Sequence, residues 1–65
     1  MTDNNELMRL ELVVWEDTLE RAGIDYEHAE RFDDRGAMEF NEELIRWSKI
    51  RIAEIEEYFA NQKGA

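Results

Sequence analysis

The chain has no cysteine and a single histidine, His28. Without thiols, neither a disulfide nor a thiolate metal site can brace it. Its three glycines, Gly23, Gly36 and Gly64, are isolated, so no glycine-rich loop is present to cradle a phosphate. No Ser–His or Cys–His pattern suggests a nucleophile. No apolar run nears the roughly 18 residues needed to span a membrane, and the N-terminal stretch is acidic rather than basic. A secretory signal is therefore not read, and a cytoplasmic location is expected. Basic residues are scarce: 8 Lys and Arg stand against 17 Asp and Glu, for a net charge of −9. Such a chain repels nucleic acid and anionic membranes and favours basic protein surfaces, so no direct nucleic-acid or membrane contact is expected.

Residues 1–65 make one small domain. A chain of this size buries only about 60% of its unfolded surface, and oligomerisation is the common remedy when disulfides and metals are absent. A homodimer is expected. Two Trp, two Tyr and three Phe supply the large apolar groups for a folded state.

The clearest amphipathic segment runs from Phe40 to Phe59, and a helix is expected over about 41–61. Met38, Ile45, Ile52 and Phe59 recur every seven residues with Ser48 and Ile55 between them, a seam of the coiled-coil type. Phe40, Leu44, Trp47 and Tyr58 form a second row. Together the rows span an arc of about 160°, wider than the roughly 100° stripe that one neighbour covers. Asn41 suits an N-cap, followed by Glu42 and Glu43 at the positive end of the dipole, and Lys63–Gly64 suits a stop. Glu42 and Arg46 have the spacing of a helical ion pair. Ile50 stands alone on the charged side.

A first helix is expected over about 6–22, capped by Thr2, Asp3 or Asn5 after a frayed leader and ended by Gly23, with Ile24 packing back. Met8, Leu12, Trp15, Leu19 and Ala22 form its seam; Leu7, Leu10 and Val14 widen the arc, and Val13 lies outside it. Asp17 and Arg21 are spaced as an ion pair. Glu11 and Arg51 each fall inside an apolar arc. They either neutralise each other, within the chain or across a dimer, or snorkel separately to the edge.

Residues 24–40 read two ways. As strands, Ile24, Tyr26, His28, Glu30 and Phe32 alternate with polar neighbours, and Asp33-Asp34-Arg35-Gly36 makes the turn of a β-hairpin. As a short helix, Asp25 caps a segment with Tyr26, Ala29 and Phe32 on one side. The alternation and the turn tilt the reading toward the hairpin. The fold class is mainly α: two antiparallel amphipathic helices joined by a short β-hairpin or short helix, closing as a homodimeric bundle.

The charge is uneven, with net −4 over residues 1–23, −6 over 24–43 and +1 over 44–65. Asp25, Glu27, Glu30, Asp33, Asp34, Glu39, Glu42 and Glu43 form an acidic surface suited to a basic partner. Leu7, Leu10, Val14, Trp15, Phe40, Leu44, Trp47 and Tyr58 form an apolar surface suited to a second copy or a partner. His28 with Asp25, Glu27 or Glu30 is a weak metal set, and the acid pairs Asp33–Asp34 and Glu42–Glu43 have no pocket around them. No cofactor and no catalysis are expected. Arg46, Lys49 and Arg51 flank Trp47, but helical projection splits the cluster between opposite sides, which disfavours nucleic-acid binding.

The function expected is that of a small acidic protein–protein interaction module, an inhibitor or regulator. In size and charge the chain resembles the small inhibitors that phages use against host defences, anti-CRISPR proteins among them. That resemblance implies nucleic-acid mimicry of a basic site. The alternative is a structural or assembly subunit of a larger complex.

Overall fold

A computed structural model describes residues 3–63 as a single helical hairpin. Helix α1 spans Asn4–Arg31 and helix α2 spans Arg35–Lys63. They pack along their length, and no strand occurs among the described residues. The β-hairpin expected at 24–40 is absent. Residues 24–31 complete α1 and residues 35–40 open α2, leaving Phe32–Asp34 as the whole connection.

The extension of α1 past Gly23 has a packing cause. Ala22, Tyr26 and Ala29 continue the seam of Met8, Leu12, Trp15 and Leu19 at alternating spacings of three and four, and Ala22 and Ala29 are buried. A glycine inside a helix costs only about 1 kcal/mol, which this further packing overrides. Gly23 is therefore not a stop, and no described glycine has a positive φ.

The stop comes ten residues later. Asp33 takes the left-handed conformation (φ 53°), its amide donates to the Glu30 carbonyl (3.2 Å), and the Asp34 amide donates to the Ala29 carbonyl (2.9 Å). These are the two bonds of a Schellman ending, with aspartate where glycine is usual. Asp34 then begins α2: its carboxylate accepts from the Ala37 amide (3.2 Å) and its carbonyl from the Met38 amide (3.0 Å). The cap of α2 is thus Asp34 and not Asn41. At the other end Asp3 caps α1 by accepting from the Glu6 amide at 2.7 Å, so α1 begins before residue 6. Thr2 and the expected stop at Gly64 lie outside the described residues.

In α2 the seam runs Met38, Asn41, Ile45, Ser48, Ile52, Ile55 and Phe59, each buried or half-buried. Asn41 is a seam residue, 6% exposed, with its side-chain amide donating to the Ala37 carbonyl (2.8 Å). Contacts from Glu11 to Arg51 and from Asn5 to Tyr58 fix the antiparallel register. That register sets Trp15 level with Ser48 and Ala22 level with Asn41, a large side chain or a small one met by what fits beside it.

The result is one layer, 48 × 24 × 13 Å, with a radius of gyration of 14.9 Å against about 11 Å for a compact chain of this length. Its accessible surface is 5285 Å², whereas a compact monomer of 7.8 kDa exposes about 4,400 Å². Ile55 is the one large apolar side chain fully buried among the described residues.

Candidate interaction surfaces

A two-helix layer has two broad faces, and the heptad phase assigns each residue to one. The Glu11–Arg51 contact marks one face; Arg9, stacked over the Phe59 ring at 5.7 Å, marks the other. On the Arg9 side project Glu6, Glu16, Glu20, Glu27 and Glu30 from α1, and Glu39, Glu42, Glu56, Arg46 and Lys49 from α2. Eight acids meet three bases there. On the Glu11–Arg51 side project Leu7, Val14 and Thr18 from α1, and Phe40, Leu44, Trp47 and Tyr58 from α2.

All eight residues of the expected acidic surface are exposed. Glu27, Glu30, Glu39 and Glu42 come together on the charged face near the turn. Asp33 and Asp34 form the tip, Asp25 lies on the opposite face, and Glu43 lies on the outer edge of α2. The set is therefore a cap around the turn end rather than one plane. Asp33 lies 3.9 Å from Arg35, and Glu43 pairs with Arg46 at 2.6 Å, displacing the expected Glu42–Arg46 pair. Glu16, Glu20 and Glu56 extend the acidic face toward the open end. Glu56 is expected from the sequence on the charged side of the later helix with Glu42, whereas Glu16 and Glu20 are not in the expected set, although their heptad phase was the available signal.

The apolar set divides. Leu7, Leu10, Val14, Phe40 and Trp47 are each more than half exposed, at 51%, 59%, 61%, 65% and 55%. Trp15, Leu44 and Tyr58 are half-buried against the neighbouring helix. Trp15 donates from its indole nitrogen to Glu11 (3.2 Å), and the Tyr58 hydroxyl donates to Asn5 (2.9 Å). Leu10 falls on the outer edge of α1. Leu7, Val14, Trp47, Leu44 and Phe40 form a diagonal band, running from the open end on α1 to the turn end on α2.

Beside this band lies the one long-range ion pair among the described residues. Arg51 donates from Nε and Nη2 to the two carboxylate oxygens of Glu11, at 2.6 and 2.9 Å. The guanidinium holds the Glu11 carboxyl below its ordinary value, helped by the Trp15 indole, and the carboxylate raises Arg51 in turn. Asp17 and Arg21 also pair as expected, at 3.0 Å, with both side chains exposed.

His28 stacks on Phe32 at 6.2 Å between ring centres. Among the described residues no group of three or more His, Cys, Asp or Glu side chains could hold a metal ion, and no helix is long and apolar enough to cross a membrane. The surface depressions are open, and one follows α2 past Phe40, Glu43 and Arg46. Trp47 and Arg51 project from one broad face and Arg46 and Lys49 from the other, so no basic surface surrounds the indole.

The chain was compared with protein-family models, with curated proteins and with solved structures, and no family model, curated protein or solved structure matches it.

Proposed function

We propose that this chain is a small acidic protein–protein interaction module, a non-enzymatic inhibitor or regulator that works in the cytoplasm as a homodimer. Its turn end meets a basic surface on another protein and occupies it as a nucleic acid would, in the manner of phage counter-defence inhibitors such as anti-CRISPR proteins. The observation that carries this reading is the exposure of all eight carboxylates between Asp25 and Glu43 around the turn end of the hairpin. Spaced charges on a fixed scaffold steer an encounter and select a partner of opposite sign.

The test is competition. Labelled duplex DNA is bound to a sequence-independent basic DNA-binding domain, and the protein is added at rising salt. Displacement should be strong at low salt and fall steeply as salt rises, as for the polyanion being replaced. It should also be lost when Glu27, Glu30, Glu39 and Glu42 are all changed to glutamine. No displacement at low salt, or displacement indifferent to those changes, would sink the mimicry.

A second reading, an assembly subunit that folds against a larger protein, is favoured by the exposed band from Leu7 to Phe40. Binding through that band would be insensitive to salt.

A further inference from the structure

We infer that the face bearing Leu7, Val14, Phe40, Leu44 and Trp47 is the seat of a second copy of this chain, two hairpins closing face to face about a two-fold axis. The inference deepens the homodimer in the proposed function by naming the surface, and three observations carry it.

The first is area. The hairpin exposes 5285 Å², roughly 900 Å² more than the approximately 4,400 Å² of a compact monomer of its mass. One partner in a stable interface of standard size contributes about 800 Å². The surplus of the whole chain is of the size that such a dimer covers on each partner.

The second is charge. Two chains of net −9 repel each other unless the meeting surfaces are close to neutral. On this face the projecting charges are Glu11, Asp25 and Glu54 against Arg21 and Arg51, with His28 near the turn; Glu11 is already neutralised by Arg51. The opposite face carries eight acids and three bases. Face-to-face closure turns both acidic faces outward, where repulsion is least. A strongly basic partner has no reason to choose the neutral face over the acidic one.

The third is completeness of the core. One layer of two helices leaves Ile55 as its only fully buried large apolar group among the described residues. Domains hold together as two packed layers around a shared core. Leu7, Val14, Phe40 and Trp47 each precede a seam residue and, with Leu44, make a second apolar row turned away from the seam, of the kind a helix in a four-helix bundle offers its second neighbour. The register sets Val14 nearly level with Trp47, at the middle of the band.

The experiment is light scattering after size exclusion, with sedimentation equilibrium over a concentration series and helicity followed by circular dichroism. The wild-type chain should run at twice its 7.8 kDa mass. Val14→Glu and Trp47→Glu should abolish the dimer, whereas Val13→Glu, one residue away but on the acidic face, should leave it intact. Because separated hairpins can lose helix, Trp47→Ala supplies a graded reading, and its dissociation constant should rise about tenfold or more, as for a buried aromatic anchor. A wild-type monomer, folded or not, overturns the inference. So does a larger assembly, a dimer indifferent to Val14→Glu and Trp47→Ala, or one equally disrupted by Val13→Glu. The DNA competition run on the same samples separates the two proposals. A dimer that displaces no DNA overturns the mimicry and leaves this face assigned; a monomer that displaces it does the reverse.

Discussion

Glu11 and Arg51, forty positions apart, close a two-pronged ion pair across the hairpin, and each is about one-third exposed. Each charge has apolar neighbours on its own helix, Leu7 and Val14 beside Glu11 and Leu44 and Tyr58 beside Arg51, and the two satisfy one another there. In a double-mutant cycle with Glu11→Gln and Arg51→Gln, the double variant should lose clearly less stability than the two single losses added. Strict additivity in chemical denaturation would refute the coupling.

The same pair sets a pH dependence. Arg51 first, and the Trp15 indole second, lower the folded-state pKa of Glu11 from its ordinary 4.5. A depressed carboxyl contributes stability above its unfolded value, and that contribution disappears as pH falls through the folded one. The stability gap between wild type and Glu11→Gln should be full at neutral pH and close progressively below about pH 4.5. A gap that stays constant into strong acid would show that the carboxylate is not the source.

Asp33 and Asp34 divide the work of the turn. Left-handed backbone costs an L-residue about 1–2 kcal/mol, less for aspartate, and glycine nothing. Asp33→Gly should therefore raise stability by up to about 1 kcal/mol, a few degrees in melting temperature for a chain of this size. Asp34→Ala removes the cap of α2 and should lower stability by about 1 kcal/mol. Thermal melts followed at 222 nm distinguish the opposite signs.

Gly23 lies inside α1, and a methyl group added there would meet nothing within 4 Å beyond its chain neighbours and its own helix backbone. Gly23→Ala should stabilise by about 0.5–1 kcal/mol through helix propensity alone. A lower melting temperature would mean that some surface packs closely over this position.

Ser48 is wholly buried and its hydroxyl has no hydrogen-bond partner. An unsatisfied buried hydroxyl costs about 1–3 kcal/mol, so Ser48→Ala should stabilise by about 1 kcal/mol. Ser48→Leu should destabilise, because the register leaves only small-residue space level with Trp15. Equilibrium urea unfolding of both variants tests the pair.

The two helices and their packing seams were legible because Met8, Leu12, Trp15 and Leu19, and Ile45, Ser48, Ile52 and Ile55, keep heptad spacing without interruption. The middle misled for a physical reason. Ile24, Tyr26 and Phe32 satisfy a period of two, while Ala22, Tyr26 and Ala29 satisfy the heptad, and only packing against α2 decides between them. Gly23 drew the stop signal although the left-handed residue is Asp33. Asn41, followed by two glutamates, resembled a cap, and its place between Met38 and Ile45 was the overlooked clue. The acids of 25–43 could be read from composition, but their union with Glu16, Glu20 and Glu56 depends on helix phase.

The brevity of the Phe32–Asp34 connection carries a consequence for topology. Helical residues fill the chain on both sides of it, and if those three residues joined them α1 and α2 would become one rod of about 90 Å at 1.5 Å per residue. In such a rod the α1 seam (Tyr26, Ala29) and the α2 seam (Met38, Asn41) would point about 120° apart, so two rods laid antiparallel could not restore both seams at once. The left-handed bend at Asp33 thus folds α1 back on α2, and the phase of the two seams works with it against a domain-swapped form. An alanine there would favour the straight rod by both backbone preference and helix propensity.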